Sequence, residues 1–181
     1  MGRNKLLIPG RDGVAMVARV ALTCQASSVD RVIVVLGHAA AAVRDAVPGV
    51  EFVVAADHAL GMSASLRAGI AAVPEGARAA LVCLGDMPLV TPGTIDRLIG
   101  AHEAGVTVAP CFRGQRGNPV LWDRRAFAAM MGLSGDVGAK GLLGGVDVRA
   151  IEVEDEGVVR DFDTVESLRG GESLRGVGWL V

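Results

Sequence analysis

The sequence lacks the features that are typical of nucleic-acid-binding, secreted and membrane proteins. No block rich in lysine or arginine occurs along the 181 residues, and 18 basic residues face 20 acidic ones for a formal net charge of -2. Nucleic acid and anionic membranes are therefore not expected as partners. Because no charged segment leads into an apolar one at the start, and no apolar run reaches the roughly 20 residues that cross a bilayer, we expect a cytoplasmic protein.

Cysteine is scarce and scattered. Cys24, Cys83 and Cys111 lie far apart, each in or beside an apolar run, and none belongs to a CxxC or Cys/His cluster. We therefore interpret the three cysteines as buried free thiols.

The composition favours one globular domain. Hydrophobic residues make up 51% of the chain and charged residues 21%, which is enough to bury a single sizeable core. No linker divides the sequence. We expect one domain over residues 1–170, followed by a C-terminal tail over 171–181.

Apolar runs and helical periodicities alternate along the chain. Such an alternation predicts a mostly parallel, doubly wound sheet between two layers of helices, which is a Rossmann-like three-layer α/β/α fold. The predicted strands span 31–36, 51–56, 79–84, 106–110 and 148–153, and the predicted helices span 14–22, 39–47, 63–73, 92–103, 123–131, 136–143 and 164–168.

In a sheet of this kind, ligands bind outside the carboxyl ends of the strands. Directly after the strand 79–84 come Gly85 and Asp86, which would leave one carboxylate on a tight turn at this edge. A single carboxylate suits Mg²⁺, which keeps several waters and takes substrate phosphate as a further ligand. The alternative is that Asp86 only caps the turn, because Gly-Asp is common in turns.

A second candidate segment is the polar loop that follows the strand 51–56. Residues 57–65 contain Gly61, Ser63 and Ser65 and lead into a helix, so their amides and hydroxyls could hold a ribose, a base or a phosphate. The alternative is that Ser63 is an ordinary helix N-cap.

Basic, glycine-rich and acidic segments elsewhere in the chain are further candidates for ligand binding. Lys5 is the first basic candidate for neutralising phosphate charge, although a surface lysine has the same appearance. Two later segments, 116–120 and 135–141, are rich in glycine and polar residues, and the second resembles an anion-binding entry to a helix. Asp161 and Asp163 have the alternating spacing of an extended segment, so Asp163 is either a second metal ligand or the N-cap of a terminal helix.

Taken together and in this order, these clusters resemble the nucleotidyltransferases that complete the molybdenum cofactor, and in particular the molybdenum cofactor cytidylyltransferases. The resemblance covers nearly the whole chain. It depends on six strings, GRNKLL at 2–7, GMSASLRAG at 61–69, GDMP at 85–88, RGNPV at 116–120, GDVGAKGLL at 135–143 and DFDT at 161–164.

The resemblance implies that CTP and Mg²⁺ bind to a Rossmann-like sheet and that the phosphate of molybdopterin attacks the α-phosphate, with release of pyrophosphate. It implies catalytic roles for Lys5 and Asp86. The residues that it implies for the nucleotide are Gly2, Lys5, Gly61, Ser63, Ser65 and Gly85, those for the metal are Asp86 and Asp163, and those for the pterin acceptor are Asn118, Pro119, Asp136 and Lys140. A molybdenum hydroxylase apoenzyme would be a partner.

The sequence departs from this family at its first residues. Relatives begin with a strand and a Leu-Ala-Ala-Gly-x-Ser-x-Arg-Met-Gly phosphate loop, whereas this chain starts at Met1-Gly2. We therefore expect the first, central strand and the phosphate loop to be absent, and we favour a start assigned at an internal methionine. Two alternatives remain: transfer of guanylate or another nucleotide by the same fold, and a non-catalytic carrier of the cofactor for a molybdenum hydroxylase.

Overall fold

The computed structural model describes residues 4–10 and 12–162 and, for the backbone, 179–180. These residues form five α-helices and eight strands. Helices α1 to α5 span Met16–Gln25, Ala40–Ala46, Met62–Ala72, Pro92–Gly100 and Phe127–Met131. Strands β1 to β8 span Ile33–Leu36, Glu51–Val54, Ala79–Leu84, Thr107–Phe112, Gln115–Arg116, Val120–Asp123, Val148–Glu152 and Trp179–Leu180. The helix predicted over 164–168 lies outside the described residues.

One mixed sheet contains all eight strands. Its order is β2-β1-β8-β3-β6-β4-β5, and β7 pairs with β4. Strands β1 and β3 are both antiparallel to β8, while β3 and β4 are both antiparallel to β6. Together with the parallel pairs β1/β2 and β4/β7, this gives β1, β2, β3, β4 and β7 one common direction. These are the five strands that the sequence predicts.

The short reversed strands account for the differences from the prediction. The four residues of β6 are all buried, and β6 lies between β3 and β4, although the sequence around it predicts a loop and a helix start. Its last residue, Asp123, belongs to the strand and not to the short helix predicted over 123–131. The Asp123 carboxylate instead accepts a hydrogen bond from the Arg125 amide at 3.0 Å and caps a 3₁₀ turn that precedes α5.

The chain's own C-terminal residues occupy the position between β1 and β3. In β8, Leu180 is paired with both Val34 and Cys83, and Trp179 is paired with Leu84. The sequence led us to expect a central strand to be missing. The described residues before β1 contain no strand, and the backbone of Trp179–Leu180, within the segment predicted as a tail, bridges β1 and β3.

Helices cover both faces of the sheet. Successive residues of a strand point to opposite faces, and Cys83 belongs to one core cluster while Val82 belongs to another. Residues of α1, α2 and α4 pack in the first cluster, and residues of α3 and α5 pack in the second. This arrangement confirms the predicted α/β class. No helix among residues 4–10 and 12–162 is long and apolar enough to span a membrane.

Candidate active site

The turn after β3 buries one acidic side chain at the carboxyl end of the strand. The Met87 amide donates to the Leu84 carbonyl at 3.2 Å and closes the turn. The side chain of Asp86 is only 3% exposed, and its carbonyl accepts a hydrogen bond from the Phe162 amide at 2.9 Å. The segment that contains Asp161 therefore runs beside Asp86.

The two carboxylate oxygens of Asp86 have different surroundings. Oδ2 accepts a hydrogen bond from Lys5 Nζ at 2.8 Å. Oδ1 is buried and has no hydrogen-bond partner among the described residues. A buried acceptor without a partner costs roughly 1 to 3 kcal/mol, so the site favours a ligand that would satisfy this oxygen.

Electrostatics point to a cation at the same position. Burial has the largest influence on the carboxyl of Asp86 and raises its pKa above the ordinary value, while Lys5 lowers it in part and the charge of Asp161 raises it further. Two carboxylates and one lysine thus share this edge of the sheet. No group of three potential metal ligands occurs within the described part of the chain, and the predicted ligand Asp163 and the predicted nucleotide contact Gly2 both lie outside it.

Lys5 reaches Asp86 from a 3₁₀ turn at the start of the described chain. The turn spans Lys5–Leu7 and is capped by the side chain of Asn4, which accepts from the Leu6 amide at 3.1 Å. This turn brings a basic group and an acidic group, 81 residues apart, into direct contact.

The start of α3 contains the glycine and serines predicted to bind nucleotide. Gly61 is its N-cap, so the N-cap role considered for Ser63 is wrong. Ser63 is the second residue of the helix, is buried, and donates from its Oγ to the Gly135 carbonyl at 2.8 Å. Ser65 is half-buried. Of the two serines, Ser65 is therefore the one available to a ligand, while Ser63 joins two loops.

The predicted nucleotide segment and part of the predicted acceptor segment are in contact. The carboxylate of Asp136 accepts from the Met62 amide at 3.2 Å, and Arg67 donates both to Ser63 and to the Leu133 carbonyl. Asp136 and Lys140 are otherwise exposed, and the predicted helix here is a 3₁₀ helix, Ala139–Gly144. The loop around residue 135 thus lies directly against the N-terminus of α3.

The other segment predicted to bind the acceptor, 116–120, contacts a 3₁₀ turn, Glu156–Val159. Pro119 is buried after a cis peptide bond, and the Asn118 amide donates to the Val158 carbonyl at 2.8 Å. On the other side of this turn, Gly157 packs against the backbone of Leu89, in the loop that follows Asp86. The turn Glu156–Val159 therefore lies between the segment 116–120 and the loop that follows Asp86.

Asp155 is a residue of this region that the sequence analysis missed. One of its oxygens accepts from the Thr91 amide and hydroxyl, both at 2.9 Å, and from the Thr94 hydroxyl at 2.6 Å. The other accepts from the Gly157 amide at 2.9 Å. Asp two residues before Gly is typical of an Asx turn and is a local signal, but the contact with α4 could not be predicted from spacing.

The contact between Gly61 and Gly135 allows a stability prediction. Gly61 has a φ of 112°, and a Cβ there would lie 2.6 Å from the backbone of Gly135. We expect Gly61→Ala to lower the free energy of unfolding by roughly 2 to 4 kcal/mol, because it combines backbone strain with a clash against backbone atoms. Urea unfolding followed by circular dichroism measures the change.

The matched control is Gly76→Ala, since a Cβ at Gly76 would meet nothing within 4 Å. This variant is expected to remain within about 0.5 kcal/mol of the parent. Equal stability of the two variants would contradict the close contact between the two loops.

Comparison with known proteins identifies a family and solved structures of the same fold. A family model described as a MobA-like NTP transferase domain matches residues 1–152. The chain is similar to the crystal structure of Rv0371c from Mycobacterium tuberculosis H37Rv, with 32% identity, a TM-score of 0.83 and coverage of 93% of this chain and 89% of that one. No match was found among curated proteins.

Two further solved structures are informative. A complex of Rv0371c with manganese is 31% identical over 93% of this chain and 91% of that one, with a TM-score of 0.79. A nucleotidyl transferase from Methanothermobacter thermautotroptrophicus, Mth528, is 27% identical over 83% of this chain and 74% of that one, with a TM-score of 0.68.

Proposed function

Since this chain belongs to the family of MobA-like NTP transferase domains and is a nucleotidyltransferase, we propose that it transfers CMP from CTP to the phosphate of molybdopterin. In this reaction an oxygen of the pterin phosphate bonds to the α-phosphorus of CTP. The bond from that phosphorus to the bridging oxygen breaks, and pyrophosphate leaves. The six strings that resemble the cytidylyltransferases support the choice of CTP and of the pterin acceptor.

The observation that carries the proposal is the buried carboxylate of Asp86 with its partnerless Oδ1. A hard divalent cation prefers such an oxygen, and Asp86 would hold it with Asp161 or Asp163 nearby. The manganese complex of Rv0371c supports a divalent cation in a related protein, and we propose Mg²⁺ here. When bound, the cation would neutralise charge on the transferring phosphate.

The remaining residues orient the substrates and neutralise charge. Lys5 lies at the same carboxylate and would share its charge with the CTP phosphates. Gly2, Gly61, Ser65 and Gly85 would contact the nucleotide, and Ser63 would keep the loop at 135 against α3. Asn118, Pro119, Asp136 and Lys140 would face the pterin, with Lys140 suited to its phosphate. Phosphoryl transfer needs such alignment more than covalent help from the protein.

The first test measures pyrophosphate release from CTP, in the presence of Mg²⁺ and molybdenum-loaded molybdopterin, by this chain and by a form extended upstream in frame. Release that needs both CTP and the pterin is the expected result. Release with GTP instead would make the protein a guanylyltransferase. Binding of the pterin without release by either form would favour a cofactor carrier for a molybdenum hydroxylase.

Nucleotide preference has a second readout in thermal unfolding. A ligand at 100 times its Kd stabilises a protein by about 2.7 kcal/mol, so at equal concentration CTP should raise the Tm more than GTP does. The nucleotides are compared with and without Mg²⁺. An equal or larger shift with GTP would contradict the choice of CTP.

A further inference from the structure

Two of the three cysteines meet in the core of the protein. Cys24 lies in the last turn of α1, Cys83 lies near the end of β3, and their sulfur atoms are 3.6 Å apart. Both side chains are buried, at 5% exposure each. Their pairing could not be predicted from the sequence, because they are 59 residues apart and belong to no cysteine motif.

The pair is not sealed from solvent. A cavity of about 470 Å³ is lined by both cysteines and by residues at the beginning of β1 and β3. Its lining includes Asp30 and Arg78, which are exposed, so the cavity communicates with the surface. A small oxidant such as a hydroperoxide can therefore reach the sulfur atoms.

We propose that Cys24 and Cys83 form a reversible intramolecular disulfide when the protein meets a hydroperoxide, and that this bond ties α1 to β3. The inference rests on the juxtaposition of the thiols and on the cavity, and is independent of the proposed function. The bond brings the sulfur atoms from 3.6 Å to about 2.05 Å.

The chemistry balances with hydrogen peroxide as the oxidant. The sulfur of Cys24 attacks one peroxide oxygen, the O–O bond breaks, and a sulfenic acid and one water result. The sulfur of Cys83 then attacks the sulfenic sulfur and releases a second water. Two thiols are thus oxidised to one disulfide while one peroxide is reduced to two waters.

The asymmetry of the pair supports this order of steps. The hydrogen bond between the sulfurs lowers the pKa of the Cys24 thiol and raises that of Cys83, and burial raises the latter further. The lowered pKa favours the thiolate form of Cys24, which makes Cys24 the better nucleophile of the two. Asp86 follows Cys83 by three residues, so the bond would fix the strand that positions the buried carboxylate.

Mass spectrometry of the whole chain tests the proposal. Brief treatment of the native protein with hydrogen peroxide should remove two hydrogens and two of the three free thiols, and dithiothreitol should restore both. Peptide mapping should find Cys24 joined to Cys83. The Cys111→Ser variant should behave like the parent, because Cys111 lies outside the pair.

The single variants Cys24→Ala and Cys83→Ala cannot form this disulfide. After peroxide treatment their mass should stay unchanged or rise by the mass of added oxygen, and should not fall by two hydrogens. Protein unfolded in urea should form mixed pairs that include Cys111, so the native pairing has its own control even if a variant fails to fold. Retention of all three thiols by the native protein, or a cross-link that includes Cys111, would overturn the proposal.

Discussion

Replacing Asp86 with asparagine is expected to lower kcat/KM for nucleotide transfer by about 10³-fold or more, which is roughly 4 kcal/mol of transition-state stabilisation. Asparagine keeps the shape of the side chain and leaves Lys5 a neutral acceptor, but it removes the negative charge that would hold the divalent cation. Initial rates of pyrophosphate release at varied CTP and Mg²⁺ measure the loss.

The same variant should keep its fold. The raised pKa of Asp86 means that ionising this carboxyl costs stability in the folded, metal-free protein, and this cost is present above the raised pKa and absent below the ordinary one. Asparagine removes the cost, so the Tm without metal at neutral pH should not fall. Added Mn²⁺ should raise the Tm of the parent and not that of the variant.

Asp45→Asn is the matched control, since Asp45 is exposed on α2. Its rates and its response to Mn²⁺ should equal those of the parent. Activity of Asp86→Asn within a few fold of the parent would remove Asp86 from the metal site. A Tm that falls together with the rate would make Asp86 a structural residue.

The predictable part of this site is the part coded by neighbouring residues. A β-branched or apolar strand followed by Gly85 and Asp86 specifies a carboxylate at the end of β3, because strand, turn and carboxylate are adjacent in the chain. For the same reason the five parallel strands and the start of α4 at Pro92 could be predicted. The contact of Asp86 with the segment near its carbonyl could not be predicted, because that segment, where the Phe162 amide donates to the Asp86 carbonyl, lies far along the chain.

The position of β8 and the N-cap of α3 depend on contacts between residues that are distant in the chain. The position of β8 between β1 and β3 reflects pairing of backbone groups that lie far apart in the chain, which no local pattern encodes. Ser63 was considered as a cap because serine commonly takes that position, but Gly61 alone permits the close approach of the loop at 135. The contact between Gly61 and Gly135 therefore determines the N-cap of α3, although serine is the more common N-cap residue.

Lys5→Met is the second substitution with a large expected effect. It should lower kcat/KM by about 10³-fold, because it removes a cation from the place where the phosphates of CTP would meet the carboxylate. It also leaves Asp86 Oδ2 buried without its charged partner, so the Tm should fall, in contrast to Asp86→Asn. Lys5→Arg, which keeps the charge, should recover part of both losses.

The chain's other lysine separates a general effect of charge from a specific one. Lys140 is exposed on the 3₁₀ helix Ala139–Gly144, which we propose faces the pterin, and Lys140→Met should raise KM for the pterin while leaving KM for CTP and the Tm unchanged. If Lys5→Met also altered only the pterin KM, Lys5 would belong to the acceptor site. Full activity of Lys5→Met would show that the ion pair with Asp86 is structural, because a lysine that neutralises the transferring phosphate cannot be removed without loss of rate.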